Sequence, residues 1–149
     1  MTINHSQIGV VGAGTMGAGI AQVSVQTGFE TVVYDTSQEF VDKGLGRIRG
    51  FIQRSRERGK LDREEEERIL ARLSGSLKLE DLSEACLVIE AAPEKMELKQ
   101  EIFQKLDSLC NAESLLASNT SSLTVTAIAA ATKRPERVLG MHFFNPPPL

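Results

Sequence analysis

The chain has 149 residues, a formal net charge of −3, 41% hydrophobic and 25% charged residues, enough for one domain with a buried core. The acidic balance argues against nucleic-acid or membrane-surface binding, and no apolar stretch is long enough to span a bilayer. Because residues 1–7 show neither the basic nor the apolar part of a secretory signal, a cytoplasmic location is expected.

The first predicted element is a strand over about 7–11, which runs into glycines at positions 12, 14 and 17 and then into a helical pattern over about 15–27. This G-x-G-x-x-G spacing is typical of a dinucleotide-binding turn. The first glycine allows the tight turn, the second leaves room for a pyrophosphate, and the third lets the helix pack closely on the strand. The helix start then holds the phosphates. The predicted cofactor contacts here are Gly12, Ala13, Gly14, Thr15, Met16 and Gly17.

A second strand, predicted over 30–34, ends at Asp35. An acid at this distance from the glycine turn accepts hydrogen bonds from the adenine-ribose hydroxyls of a bound dinucleotide. Its charge would repel a 2′-phosphate, and Thr36 and Ser37 offer no arginine to hold one, so NAD is predicted rather than NADP. The alternative is a plain strand-to-helix turn in which Asp35 only caps the next element.

A helical hairpin is predicted over about 37–73, where a minimal dinucleotide-binding unit has one crossover helix. Ser37 is expected to cap its first helix, which ends near Gly59, and Asp62 to cap its second. The first helix carries many cations. From charge alone, a helix face exposed to solvent is favoured over a cationic surface that binds an anionic group of a substrate. These cations are Arg47, Arg49, Arg54, Arg56, Arg58 and Lys60.

The remainder alternates strands and helices. Strands are predicted at 75–78, 86–91, 115–118 and 138–144, with a helical turn at 80–84 and helices at 94–109 and 125–131. This alternation predicts an α/β fold: a Rossmann-type doubly wound, mainly parallel sheet with the inserted hairpin, in one domain over 1–149. Ligands of such sheets bind beyond the carboxyl ends of the strands. Three polar segments are therefore expected to meet there: the glycine turn, residues 119–122, and His142 with Asn145.

His142 is the strongest candidate for proton transfer. A histidine at a strand end beside a nicotinamide can take a proton from a hydroxyl while hydride leaves the same carbon. Its position fits a half-buried histidine beside two phenylalanines equally well. Carboxylates and histidines do not cluster at ligand spacings, so no metal site is predicted, and Ser121 has no identifiable Ser-His-Asp partners, which argues against a hydrolase.

Three segments, 12–22, 117–123 and 140–146, together resemble the NAD-binding domain of the L-3-hydroxyacyl-CoA dehydrogenases, which include the bacterial 3-hydroxybutyryl-CoA dehydrogenases. The resemblance covers essentially the whole chain. Its S-N-T-S-S and H-F-F-N-P motifs are hallmarks of that family rather than of Rossmann domains in general. The helical hairpin after the second strand is also a feature of the family.

The resemblance implies an NAD-dependent oxidoreductase that interconverts L-3-hydroxyacyl-CoA and 3-oxoacyl-CoA. It implies His142 as the general base, Ser121 as the serine beside the nicotinamide that hydrogen-bonds the substrate's 3-oxygen, and Asn145 as a residue of the nicotinamide and substrate pocket. Glu94 and Lys99 match cofactor-contacting positions. The family places CoA near the hairpin, so its arginines become candidate partners of CoA phosphates, with no single arginine assigned.

The family continues past the proline-rich turn to a glutamate that orients the histidine, and then to a helical C-terminal domain that supplies the dimer interface. That domain is absent from this chain, so we expect the 149 residues to bind NAD and turn over poorly. A truncated, non-catalytic NAD-binding module is the alternative interpretation. A β-hydroxyacid dehydrogenase on the same scaffold is another, and His142 argues against it because that class typically uses a lysine.

Overall fold

One parallel sheet organises the chain, and the computed structural model describes it over residues 4–148. Residues 1–3 and 149 lie outside the described residues. All four belong to the predicted domain, and 1–3 also belong to the N-terminal segment that shows no secretory signal. The strands are β1 (Asn4–Val11), β2 (Glu30–Tyr34), β3 (Leu73–Ser76), β4 (Ala85–Glu90), β5 (Leu115–Ser118) and β6 (Val138–Gly140). Their order is β3-β2-β1-β4-β5-β6, with every pairing parallel. This is the doubly wound order with its switch point between β1 and β4, so the predicted fold class is confirmed.

In the described part of the chain, the α-helices between the strands are α1 (Thr15–Gln26), α2 (Gln38–Glu57), α3 (Arg63–Ala71), α4 (Met96–Leu109) and α5 (Val125–Ala129). The predicted hairpin is α2 and α3. Ser37 Oγ accepts from Phe40 N at 3.3 Å, and Asp62 forms a reciprocal capping box with Glu65. Within 4–148, no helix combines the length and the apolar character needed to cross a membrane.

The helices cover both faces of the sheet. Helices α1, α2 and α3 pack on one face, which includes Val10 and Val33, while α4 and α5 pack on the other, which includes Val11 and Leu116. Val10 and Val11 point in opposite directions because successive side chains of a strand alternate between faces. This two-sided burial explains the continuous apolar runs of the central strands.

The third strand lies earlier than the sequence predicts, at 73–76 rather than 75–78. Gly75 is predicted as the first residue of this strand, and it lies instead in the strand interior, directly beneath α2. A Cβ at Gly75 would lie 2.3 Å from Val41 Cγ1. Glycine is therefore required by the close approach of the helix, a contact between distant segments that local pattern does not reveal.

Other element limits also differ from the prediction. Helix α4 begins at Met96 rather than 94, and β6 ends at Gly140 rather than 144. After β6 a backbone N–H donates to a side chain instead of extending the strand, and before α4 the Glu94 side chain accepts from another loop, as described below. Smaller differences are the earlier start of β1, the end of α5 at 129, the helical turn at 79–82, and β4 at 85–90.

Candidate active site

A groove of about 890 Å³ runs over the carboxyl ends of β1, β2 and β4. This is the switch point of the sheet, where doubly wound proteins bind their ligands. Most of the predicted cofactor residues line it, namely Gly12, Ala13, Gly14, Thr15, Met16, Asp35 and Glu94.

Each glycine of the turn has a different environment. Gly12 has φ +105°, and a Cβ there would lie 2.7 Å from Ala91 O. A Cβ on Gly17 would lie 1.7 Å from Gly12 O, so Gly17 packs inside the turn and is not among the described residues that line the groove. A Cβ on Gly14 would meet no described heavy atom within 4 Å and would occupy the open groove. Gly12 and Gly17 thus shape the turn, while Gly14 keeps the space above it clear.

Asp35 supports the glycine turn as well as lining the groove. Its Oδ2 accepts a hydrogen bond from Ala13 N at 2.8 Å, and its Oδ1 accepts one from Thr36 N at 2.6 Å. A carboxylate has further lone pairs on both oxygens, so these bonds leave acceptor capacity for ribose hydroxyls. Sequence reasoning predicted the ribose contact and missed the bond to Ala13.

A second cavity, of about 320 Å³, adjoins the groove. Four residues line both the cavity and the groove, namely Met16, Ala91, Ala92 and Glu94. The smaller cavity is lined by four further predicted residues, Lys99, Ser121, His142 and Asn145, while Gly17 lines neither space. The structure thus brings the three polar segments together at one edge of the sheet.

The segment that carries His142 is fastened to the end of β5. Met141 N donates to Ser118 O at 2.9 Å, and Phe143 N donates to Asn119 Oδ1 at 2.8 Å. The latter bond goes to a side chain, so the strand ladder does not extend as far as 144. His142 itself is exposed, with its ring 5.4 Å from that of Phe144. Asn119 therefore fixes this segment through a bond that the sequence, which predicted only that residues 119–122 lie at this edge, does not reveal.

A buried ion pair lies beneath the cavity. Glu90 and Lys99 are 0% and 1% exposed, and Lys99 Nζ lies 2.5 Å from Glu90 Oε2. Lys99 Nζ also lies 3.0 Å from Glu94 Oε1 and donates to Ala92 O at 3.1 Å. These contacts use all three donors of the ammonium group. Glu90 accepts from Ser118 Oγ and Ala92 N as well, both at 2.7 Å, which links the ends of β4 and β5.

Glu94 does not belong to the first turn of α4, contrary to the prediction. Its Oε2 accepts from Thr120 Oγ1 at 2.7 Å and from Ser122 Oγ at 3.0 Å, which ties the loop before α4 to the loop after β5. Partial burial raises the pKa of Glu94, but the bonds from Thr120, Lys99 and Ser122 outweigh it and hold this pKa below its usual value. Glu94 is therefore a carboxylate at neutral pH.

The donor set fits a dinucleotide. The groove combines an open space at Gly14, the positive end of α1 and an acid at the end of β2, the features that hold a pyrophosphate and a ribose. Within the described part of the chain, no three His, Cys, Asp or Glu residues are grouped as metal ligands.

The family model for the NAD-binding domain of 3-hydroxyacyl-CoA dehydrogenase matches residues 7–149. The chain belongs to this family. Its cofactor is NAD, as the description of the family states. The chain is accordingly an NAD-binding domain of the 3-hydroxyacyl-CoA dehydrogenase family.

Named relatives agree with this assignment. The chain is 47% identical to the probable 3-hydroxybutyryl-CoA dehydrogenase of Bacillus subtilis, covering 96% of the chain and 50% of that protein. It is 34% identical to the glyoxysomal fatty acid beta-oxidation multifunctional protein of Brassica napus, covering 95% and 19%. The crystal structure of (S)-3-hydroxybutyryl-CoA dehydrogenase from Ralstonia eutropha superposes with a TM-score of 0.93 at 40% identity, covering 98% and 52%. The chain thus spans about half or less of these relatives.

Alanine at three glycines should separate turn shape from cofactor contact. Gly17→Ala places a Cβ against backbone oxygen and should lower the free energy of unfolding by about 1–3 kcal/mol. Gly14→Ala should leave stability nearly unchanged and weaken NADH binding about tenfold or more. Gly46→Ala, in the open on α2, is the control and should be neutral or stabilising. Urea unfolding measures the free energy of unfolding, and calorimetric titration measures the NADH affinity. Equal NADH affinity in Gly14→Ala and Gly46→Ala would contradict the assignment of Gly14.

Proposed function

We propose that the chain binds NAD and supplies the reacting groups for interconversion of L-3-hydroxyacyl-CoA and 3-oxoacyl-CoA. The observation that carries this proposal is the convergence of Ser121, His142 and Asn145 on one cavity that is continuous with the glycine-turn groove. A substrate carbon in that cavity would lie between the proton acceptor and the nicotinamide end of the groove. The names of the relatives, 3-hydroxybutyryl-CoA dehydrogenases among them, support the same substrate class.

Bound NAD supplies the acceptor for the hydride that leaves C3 of the substrate. His142 accepts the proton of the 3-hydroxyl group through an imidazole nitrogen, and C3 becomes a carbonyl carbon. Ser121 donates a hydrogen bond to the 3-oxygen and keeps it oriented toward His142. Asn145 offers an amide at the cavity wall for the nicotinamide and the substrate.

The charged residues hold the cofactor end of this site. Asp35 accepts from the adenine-ribose hydroxyls, and Glu94 accepts from the nicotinamide ribose through its exposed carboxylate. Lys99 is proposed to contribute to cofactor binding by fixing Glu94, because its ammonium already contacts Glu90, Glu94 and Ala92. Its burial leaves it little surface for a direct contact.

Further features of the proposal concern the setting of the reaction. We place the activity in fatty-acid beta-oxidation or butanoate metabolism, which the relatives' names support, and we propose a cytoplasmic location. The complete protein is proposed to be a homodimer that associates through a helical domain outside these 149 residues. Size-exclusion chromatography with light scattering of the complete protein measures that association directly.

The test uses protein expressed from the complete coding sequence. We expect it to reduce acetoacetyl-CoA with NADH, to do so much more slowly with NADPH, and to leave acetoacetate without CoA unreduced. Turnover is followed as loss of NADH absorbance, and binding of NADH and acetoacetyl-CoA is measured separately by calorimetry. NADH binding without turnover would contradict the catalytic proposal and favour a cofactor-binding module. Failure to bind NADH would contradict the assignment of the groove.

A further inference from the structure

The hairpin helix α2 lies directly against the glycine turn. A Cβ on Gly44 would lie 2.7 Å from Ala13 O and 2.9 Å from Ala13 Cβ, so only glycine permits the helix to come this close. Side chains three and four positions apart share one face of a helix. Gly44 and Arg47 are three apart, and the approach at Gly44 therefore brings Arg47 over the same turn.

Arg47 reaches the start of helix α1. Its guanidinium Nη1 donates to Thr15 Oγ1 at 3.3 Å, and Thr15 is the first residue of α1. Arg47 and Lys43, which is one turn earlier on α2, both line the cofactor groove. Arg47 is the cation of this groove with a hydrogen bond to the phosphate-binding turn itself.

The other charged groups named for this groove, Asp35, Lys105 and Glu94, have hydrogen-bond or ion-pair partners of their own. Asp35 bonds the backbone of Ala13 and Thr36, and Lys105 is paired with Glu101 at 2.7 Å on α4. Glu94 is held by Lys99 at 3.0 Å near the second cavity. A phosphate group at the start of α1 would thus have the Arg47 guanidinium from α2 beside it.

We infer that Arg47 binds the pyrophosphate of the cofactor, so that the inserted hairpin closes over the glycine turn as a cationic clamp. The inference rests on the proposed function of the groove. A guanidinium presents paired donors that match two phosphate oxygens, and charge-assisted bonds of this kind are stronger than neutral ones. The inference also separates Arg47 from the other hairpin arginines, which leaves those as the candidates for the phosphates of CoA.

The test compares Arg47→Gln with Arg49→Gln by calorimetric titration. Arg49 is exposed on the same helix and is absent from the described residues that line the groove, which makes it a matched control. The probes are NADH, ADP and adenosine, of which only the first two carry a pyrophosphate. We expect Arg47→Gln to weaken NADH and ADP about tenfold and to leave adenosine unchanged. Higher salt should weaken NADH binding less in Arg47→Gln than in the unchanged chain. Arg49→Gln should bind all three probes as the unchanged chain does.

The outcomes distinguish this inference from the proposed function. If the unchanged chain binds NADH and Arg47→Gln binds NADH and ADP equally well, the assignment of Arg47 is wrong while the cofactor groove stands. An equal loss for adenosine would indicate a distorted groove and would also contradict the inference, with thermal unfolding of the variant as the check. Coenzyme A is titrated as a further ligand, and a loss limited to it would contradict the inference and assign Arg47 to the substrate instead. No NADH binding by the unchanged chain would overturn both proposals.

Discussion

His142→Gln is expected to lower kcat for oxidation of L-3-hydroxybutyryl-CoA by about 10²–10⁴-fold, the usual contribution of a general base. Glutamine keeps a polar side chain at this position but cannot take up a proton near neutral pH. The backbone bonds of Met141 and Phe143 fix the segment independently of the histidine ring, so the fold should tolerate the change. NADH affinity should stay close to that of the unchanged protein, because His142 does not line the glycine-turn groove as described.

The matched control is His5→Gln, at the only other histidine of the sequence. His5 is exposed on β1, and this variant should retain full activity. Initial rates are followed as NADH absorbance with the protein expressed from the complete coding sequence, and NADH binding is measured in parallel. A His142→Gln variant that kept most of its rate would remove His142 from proton transfer. If His142→Gln lost NADH binding as well as its turnover rate, His142 would act by holding the cofactor site in shape rather than by proton transfer.

The local sequence predicted helix limits correctly where a residue caps the helix end, as Ser and Asp do at the start and Gly does after the end. Ser37 and Asp62 cap their helices as expected because a short polar side chain can bond the unsatisfied N–H groups of the first turn. Gly28 and Gly59, with φ of +103° and +71°, end α1 and α2 as C-terminal glycines do. The alternation of apolar runs and helical patterns was then enough to predict the sheet and its parallel strands.

Prediction failed where a distant contact competes with a local signal. The helix predicted from residue 94 begins at Met96, and Thr120 and Ser122 of another loop bind the Glu94 side chain. The apolar residues after Gly140 continue a strand pattern. The strand nevertheless ends at Gly140, and the N–H of Phe143 donates to the Asn119 side chain instead of to a neighbouring strand. Neither partner can be identified from the local sequence.

The candidate site was predicted by its motifs, and its supporting contacts were not. The glycine turn, Asp35 and His142 have recognisable spacing or chemistry. The support from Glu90 and Gly44 depends on which helices and strands pack together. A glutamate at the end of an apolar strand and a glycine inside a helix are exceptions to the surrounding patterns, and these exceptions were the available signal.

The buried Glu90–Lys99 pair leads to the second large expected effect. Lys99→Met removes the charge and keeps a side chain of similar reach, which leaves the Glu90 carboxylate fully buried without its cation. Breaking a buried pair in this way costs about 3–5 kcal/mol, a large part of the stability of an ordinary domain. Urea unfolding should register this loss. NADH affinity should fall as well, because Glu94 loses one of its three partners.

Lys105→Met is the matched control, because Lys105 lies on the same helix and pairs with Glu101 at 2.7 Å in an exposed position. Exposed pairs contribute little, so this variant should lose only a small fraction of what Lys99→Met loses. The double variant Glu90→Gln/Lys99→Met should recover part of the stability, because a neutral amide replaces the uncompensated carboxylate. Equal losses in Lys99→Met and Lys105→Met would mean that burial of the pair does not stabilise this edge of the sheet. A double variant less stable than Lys99→Met would mean that Glu90 acts through its bonds to Ser118 and Ala92 rather than through its charge.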